Sequence, residues 1–120
     1  MKNFLIFILF FLVFPVAVQG GEADVIAVNI MKLGPNTFQF DVTVAHEDEG
    51  WNHYANKWDV VGVDGTVIGT RILHHPHVNE QPFTRSLSGI VIPKKNSPVT
   101  VRAHDSVHEY GGKVVSAALP

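Results

Sequence analysis

Seven histidines and no cysteine set the chemistry open to this chain of 120 residues. Neutral imidazole joined by carboxylate is a donor set for copper(II), zinc or nickel, and such sites need no thiolate. The missing cysteine removes the thiol nucleophile, the cysteine-type zinc site, the blue-copper centre and any lipid-modified cysteine. Three histidine spacings suggest a metal site. His75-Pro76-His77 sets two imidazoles one residue apart on a proline-stiffened segment, and His104 and His108 lie three residues apart within one stretch. His46 continues the phase of Phe38, Phe40, Val42 and Val44, so it points inward if those four do. The expected ligands are His46, His75, His77 and His104, with His108 or Asp48 as substitutes, around copper or zinc.

Other constellations carry less. His104-Asp105 could do acid-base work, but there is no Gly-x-Ser-x-Gly elbow and no nucleophile beside a base, so no catalytic residue is assigned. Arg85, within Thr84-Arg85-Ser86, could bind an anion; the commoner role of such an arginine is a local salt bridge or bonds to loop carbonyls. Trp51, Tyr54, Phe83 and Tyr110 could form a contact surface for a protein or a sugar, or simply cover the end of a small core.

The histidines need elements to hold them, and the pattern along the chain is of short strands separated by turns. Phe38, Phe40, Val42 and Val44 alternate with Gln39, Asp41 and Thr43; Val99, Val101 and Ala103 alternate with Thr100, Arg102 and His104. Strands are expected over 25–33, 37–45, 57–63, 66–73, 83–92, 98–104 and 113–119. Gly34-Pro35-Asn36 turns the first pair, and Asp64-Gly65 reads as a two-residue type I′ hairpin. The expected fold is all-β: a seven-stranded immunoglobulin-like or fibronectin type III-like sandwich with Trp58 in its core, with a jelly roll or cupredoxin-like barrel as the alternative topology. Consecutive strands running up and down put three short turns at one end and three long connections at the other. Every histidine falls in the long connections or at their edges, with Glu47, Asp48, Glu49, Glu80, Asp105 and Glu109.

The start of the chain has a different character. Met1-Lys2-Asn3 precedes an apolar run from Phe4 to Val18, interrupted by Pro15 and followed by Gln19-Gly20-Gly21. A basic start, a run short of the roughly 20 residues of a membrane span and small residues at the end make a secretory signal peptide. The expected organisation is a signal peptide over 1–20, cut after Gly20 or, alternatively, after Ala17, and a β-sandwich domain over 21–120 without a membrane span. The formal charge of −2, from 9 basic and 11 acidic residues, becomes −3 when Lys2 leaves with the leader. With no basic cluster larger than Lys94-Lys95, nucleic acid is not an expected partner.

Three stretches carry a resemblance: Gly50-Trp51-Asn52-His53-Tyr54-Ala55, Asp64-Gly65-Thr66-Val67-Ile68-Gly69-Thr70-Arg71, and His75-Pro76-His77-Val78-Asn79-Glu80-Gln81-Pro82-Phe83-Thr84-Arg85-Ser86. From residue 37 to the C-terminus the chain resembles an uncharacterised family of small exported bacterial proteins. The resemblance implies a periplasmic or secreted setting and brings no activity or functional residue with it. The reading that follows is a small exported binding protein, with a divalent metal at a histidine-rich loop pole. The alternative is an immunoglobulin-like interaction module that docks an envelope protein or glycan through the same loops.

Overall fold

The structure is a computed structural model that describes residues 21–120; the expected signal peptide lies outside the described residues. The strands are β1 (Asp24–Gly34), β2 (Thr37–Ala45), β3 (Ala55–Val61), β4 (Val67–Ile72), β5 (Phe83–Val91), β6 (Val99–Asp105) and β7 (Val115–Ala117), with a 3-10 turn at Lys94–Asn96. They form two antiparallel sheets, one in the order β1-β2-β5 and one in the order β4-β3-β6-β7. No helix among the described residues is long and apolar enough to cross a membrane.

Alternation decides which side chains meet between the sheets. On β2, Phe38, Phe40, Val42 and Val44 are buried while their neighbours are half-buried, and on β6 Val99, Val101, Ala103 and Asp105 are buried in the same way. Trp58 and Val60 of β3, Phe83 and Ile90 of β5, Val25, Leu73 and Ile92 join them in one core fed by both sheets. Both Phe40 and Trp58 are fully enclosed. As the apolar face of each strand is removed from water by the opposite sheet, packing and hydrogen bonds hold a domain with no disulfide.

Boundaries move where tertiary bonds override the local pattern. The expected strand 57–63 is instead Ala55–Val61, because residues 62–66 form the hairpin loop. That loop is not a two-residue type I′ turn. Gly65 donates to the Gly62 carbonyl at 2.9 Å, the Gly62 N–H donates to Thr66 at 2.8 Å, and Gly65 has φ +89° while Asp64 is not in the positive region. This is a three-residue loop with its left-handed position at glycine, stabilised by Asp64 Oδ1 accepting from the Thr66 N–H at 3.0 Å. The last strand shrinks from 113–119 to Val115–Ala117 for a different reason. Lys113 bonds the other sheet, its carbonyl accepting from the Val25 N–H at 2.9 Å and its N–H donating to Asp24 Oδ1 at 2.7 Å.

On the outer face of the four-stranded sheet lies a buried carboxylate. Asp59 accepts from the Tyr110 hydroxyl at 2.5 Å, the Thr70 hydroxyl at 2.7 Å and Arg102 Nε at 3.3 Å. Tyr110, from the β6–β7 connection, folds back over the sheet beneath the Arg102 guanidinium, 3.9 Å from the ring centroid. Burial opposes ionisation of Asp59, but the bonds from Tyr110 and Thr70 and the charges of Lys57 and Arg102 outweigh it and hold the carboxyl below its usual range. A depressed folded-state value adds stability that is present above the unfolded value of about 3.9 and is lost as pH falls through the folded value. Asp59→Asn should therefore cost about 1–3 kcal/mol at neutral pH, with the difference from wild type shrinking in acid. Urea unfolding at a series of pH values measures it; a constant difference across the acid range would contradict this account.

A candidate metal centre at the loop pole

The three long connections meet at one end of the two sheets. The β2–β3 connection supplies His46, Asp48, Glu49 and His53, the end of β6 and the turn after it supply Asp105 and His108, and the β4–β5 connection supplies His77 and Gln81. Direct bonds join the three. His53 Nε2 lies 2.7 Å from Asp105 Oδ2, the His77 N–H donates to Asp48 Oδ2 at 2.7 Å, and the His46 N–H donates to Gln81 Oε1 at 3.0 Å.

At the centre, His46, His53 and Asp105 present one donor atom each to a common point. The two Nε2 atoms are 3.2 Å apart, and His46 Nε2 is 3.7 Å from Asp105 Oδ2. A tetrahedral ion with bonds of 2.0–2.1 Å separates its ligand atoms by about 3.3–3.4 Å; these two gaps bracket that spacing, while the 2.7 Å between His53 Nε2 and Asp105 Oδ2 is a hydrogen-bond distance that must widen to admit an ion. The opposite nitrogens are held from behind. His46 Nδ1 is 2.5 Å from Asp48 Oδ1, and His53 Nδ1 is 2.9 Å from Glu49 Oε1. A carboxylate on Nδ1 fixes a neutral imidazole as the Nδ1–H tautomer and turns the Nε2 lone pair toward the centre, as carboxylates behind metal-binding histidines do.

Further donors surround the same point. The Gly21 carbonyl lies 3.0 Å from His46 Nε2 and 3.3 Å from His53 Nε2, and His108 Nδ1 lies 3.1 Å from Asp105 Oδ2. Gly21 packs so closely that a Cβ there would fall 2.3–2.8 Å from ring atoms of His108, so a side chain at this position would displace it. With both histidines neutral, two imidazole lone pairs, a carboxylate oxygen and a carbonyl oxygen face one another. Such a set needs a shared positive charge, which protons or a metal ion can supply.

The electrostatics show the proton side of that balance. His46 is held above the ordinary histidine value: burial works against protonation, and the bonds to Asp48 and the Gly21 carbonyl with the charges of Asp48 and Asp105 more than offset it. His53 is raised in the same way, burial being outweighed by Glu49, Asp105 and the Gly21 carbonyl. Asp48 and Asp105 are both held low. Burial opposes this in each; His46 and the N–H groups of His77 and Ala55 overcome it at Asp48, and the His108 N–H and ring, the Val107 N–H and His53 overcome it at Asp105.

The other histidines stand apart from this centre. His108 touches it through Asp105, but His75 and His77 form a separate pair beyond Asp48, their ring centroids 4.7 Å apart. His77 stacks on Phe83 at 4.0 Å. His104 lies on the outer face of β6, bonded to Asn56 Oδ1 at 2.7 Å and edge-on to Tyr110. Two central residues, His53 and Asp105, were not among the expected ligands. Asp105 was legible: it continues the inward phase of Val99, Val101 and Ala103, as His46 continues that of β2. His53 sits in a connection with no period, where only its separation of four residues from Glu49 hints at the pair.

No family model and no solved structure matches the chain. It is 39% identical over 94 residues to a protein of Halomicrobium mukohataei described as "Putative lipoprotein". The match takes in 78% of this chain and 46% of that protein, so the chain spans just under half the length of this relative.

Proposed function

We propose that the chain is an exported protein, periplasmic or secreted, with an immunoglobulin-like or fibronectin type III-like sandwich whose loop pole binds one zinc or copper(II) ion. His46, His53 and Asp105 are the ligands, and Asp48 and Glu49 orient the two imidazoles from behind. The observation that carries this reading is the convergence of two Nε2 atoms 3.2 Å apart, each with a carboxylate on its Nδ1. The apolar start of the sequence supports export, and the three-plus-four arrangement of antiparallel strands supports the sandwich topology.

Titration of the untagged protein with zinc and copper(II) tests the site. Uptake at one ion per chain is expected, with protons released, because metal and proton compete for the same nitrogens. Affinity should fall as pH is lowered through the raised histidine values, and the metal-free protein should gain stability over the same interval, since a raised folded-state value adds stability that is lost on going alkaline. Glu49→Gln, at an exposed carboxylate, should weaken uptake by about 10-fold while lowering the stability of the metal-free protein by no more than about 1 kcal/mol. Uptake no stronger than that of a scattered set of surface histidines would defeat the reading. The interaction-module reading has one observation of its own: Trp51 on the β2–β3 connection is 67% exposed and edge-on to Tyr54, a surface suited to an envelope protein or glycan.

A further inference from the structure

A second site lies beyond Asp48, on the far side from the metal centre. A pocket of about 100 Å³ is lined by Arg71, Leu73, His74, His75, His77 and Arg85. Apart from Leu73, every lining side chain carries a positive charge or can take one, and none is acidic. Its volume is far below the roughly 300–1,000 Å³ of sites for drug-sized molecules, so its occupant is small.

The two guanidiniums are built in. Arg71 donates from Nε to the Ser86 carbonyl at 2.9 Å and from Nη1 to the Ile72 carbonyl at 2.5 Å, leaving its Nη2 without a hydrogen bond among the described residues. Arg85 donates from Nη1 to the Thr84 carbonyl at 2.8 Å and from Nη2 to Glu80 Oε1 at 3.2 Å and His77 Nε2 at 3.0 Å. The last bond fixes the proton of His77 on Nδ1, since Nε2 is accepting. His77 is only 5% exposed, and its Nδ1 is buried with no partner among the described residues. The His77 ring thus carries an unmet N–H next to a pocket whose other polar lining is basic.

We propose that this pocket binds a small tetrahedral oxyanion of the phosphate or sulfate class, held by the Arg71 and Arg85 guanidiniums with the His77 ring beside it. The planar forks of two arginines suit oxyanion geometry, and Glu80, at the rim on Arg85, neutralises one of the two charges only in part. Burial, then Arg85 and His75, hold His77 below the ordinary histidine value, in keeping with a positive field there. The pocket lining includes none of His46, His53 and Asp105; Asp48 stands between the two sites, bonded to His46 Nδ1 through Oδ1 and accepting from the His77 N–H through Oδ2.

Backbone amide and arginine side-chain NMR spectra, titrated with inorganic phosphate and separately with sulfate against chloride at equal ionic strength, test the proposal. Saturable one-to-one shifts at His77, Arg71 and Arg85 are expected. Arg71→Gln should weaken binding by roughly tenfold or more, the loss of one charge-assisted bond, while His53→Ala leaves it unchanged. Arg71→Lys, which keeps the charge but not the fork, should fall between wild type and Arg71→Gln and serves if the glutamine variant does not fold. Shifts that stay linear, that chloride reproduces, or that Arg71→Gln and Arg71→Lys leave intact would overturn the site. Zinc saturating His75 and His77 while phosphate leaves them unmoved would do the same.

Discussion

An alanine in place of Phe40 should lower the stability of the domain by about 3–5 kcal/mol, a large share of the 5–15 kcal/mol that a domain of this size holds. Phe40 is fully enclosed at the middle of β2, opposite Ile30 of β1 and Leu87 of β5, and its ring faces the four-stranded sheet. It is packed within the cluster of buried core residues, so the cavity term adds to the lost transfer energy. Urea unfolding followed by circular dichroism should show the midpoint fall with an unchanged slope. A loss below about 1 kcal/mol would mean that this face is not the core. Trp58 is equally enclosed but its Nε1–H has no partner among the described residues, so Trp58→Phe, which removes that unmet donor, should cost much less than Phe40→Ala.

His53→Ala should weaken zinc or copper(II) binding by more than the roughly 10–100-fold that loss of an outer partner costs, because it removes a ligand itself. His53 is the ligand to choose, since it lies in a connection and packs less deeply than His46 or Asp105. Its removal separates loss of metal from loss of fold. The same titration with His75→Ala and His77→Ala combined should show metal affinity near that of wild type, as those rings stand beyond Asp48. If that pair abolished uptake and His53→Ala did not, the ion would sit on the β4–β5 connection.

Much of the frame was legible in the residues. Strict alternation over β2 and β6 marked both core strands, and carrying the β2 phase one step past the strand placed His46 inside the loop pole. The grouping of the three long connections followed from strands running up and down, and the bonds His53–Asp105 and Asp48–His77 join them. What the pattern could not supply depends on contacts across the fold. Asp59 sits at an outward position yet is buried, because Tyr110 arrives from 51 residues away to cover it. Lys113 looked like strand but bonds the opposite sheet. The histidines at 75, 77 and 104 resemble ligands by spacing, but spacing says nothing of the Phe83 ring, Arg85 or Asn56 that engage them.

Crystals of the protein grown with zinc, measured at the zinc absorption edge, test the central claim most directly. The account predicts one anomalous peak per chain, about 2.0–2.1 Å from both His46 Nε2 and His53 Nε2 and bonded to Asp105, with Asp48 and Glu49 still on the Nδ1 atoms. A peak on His75 and His77 or on His104 instead, or no peak with His46 and His53 still bonded to the Gly21 carbonyl and Asp105, would contradict it.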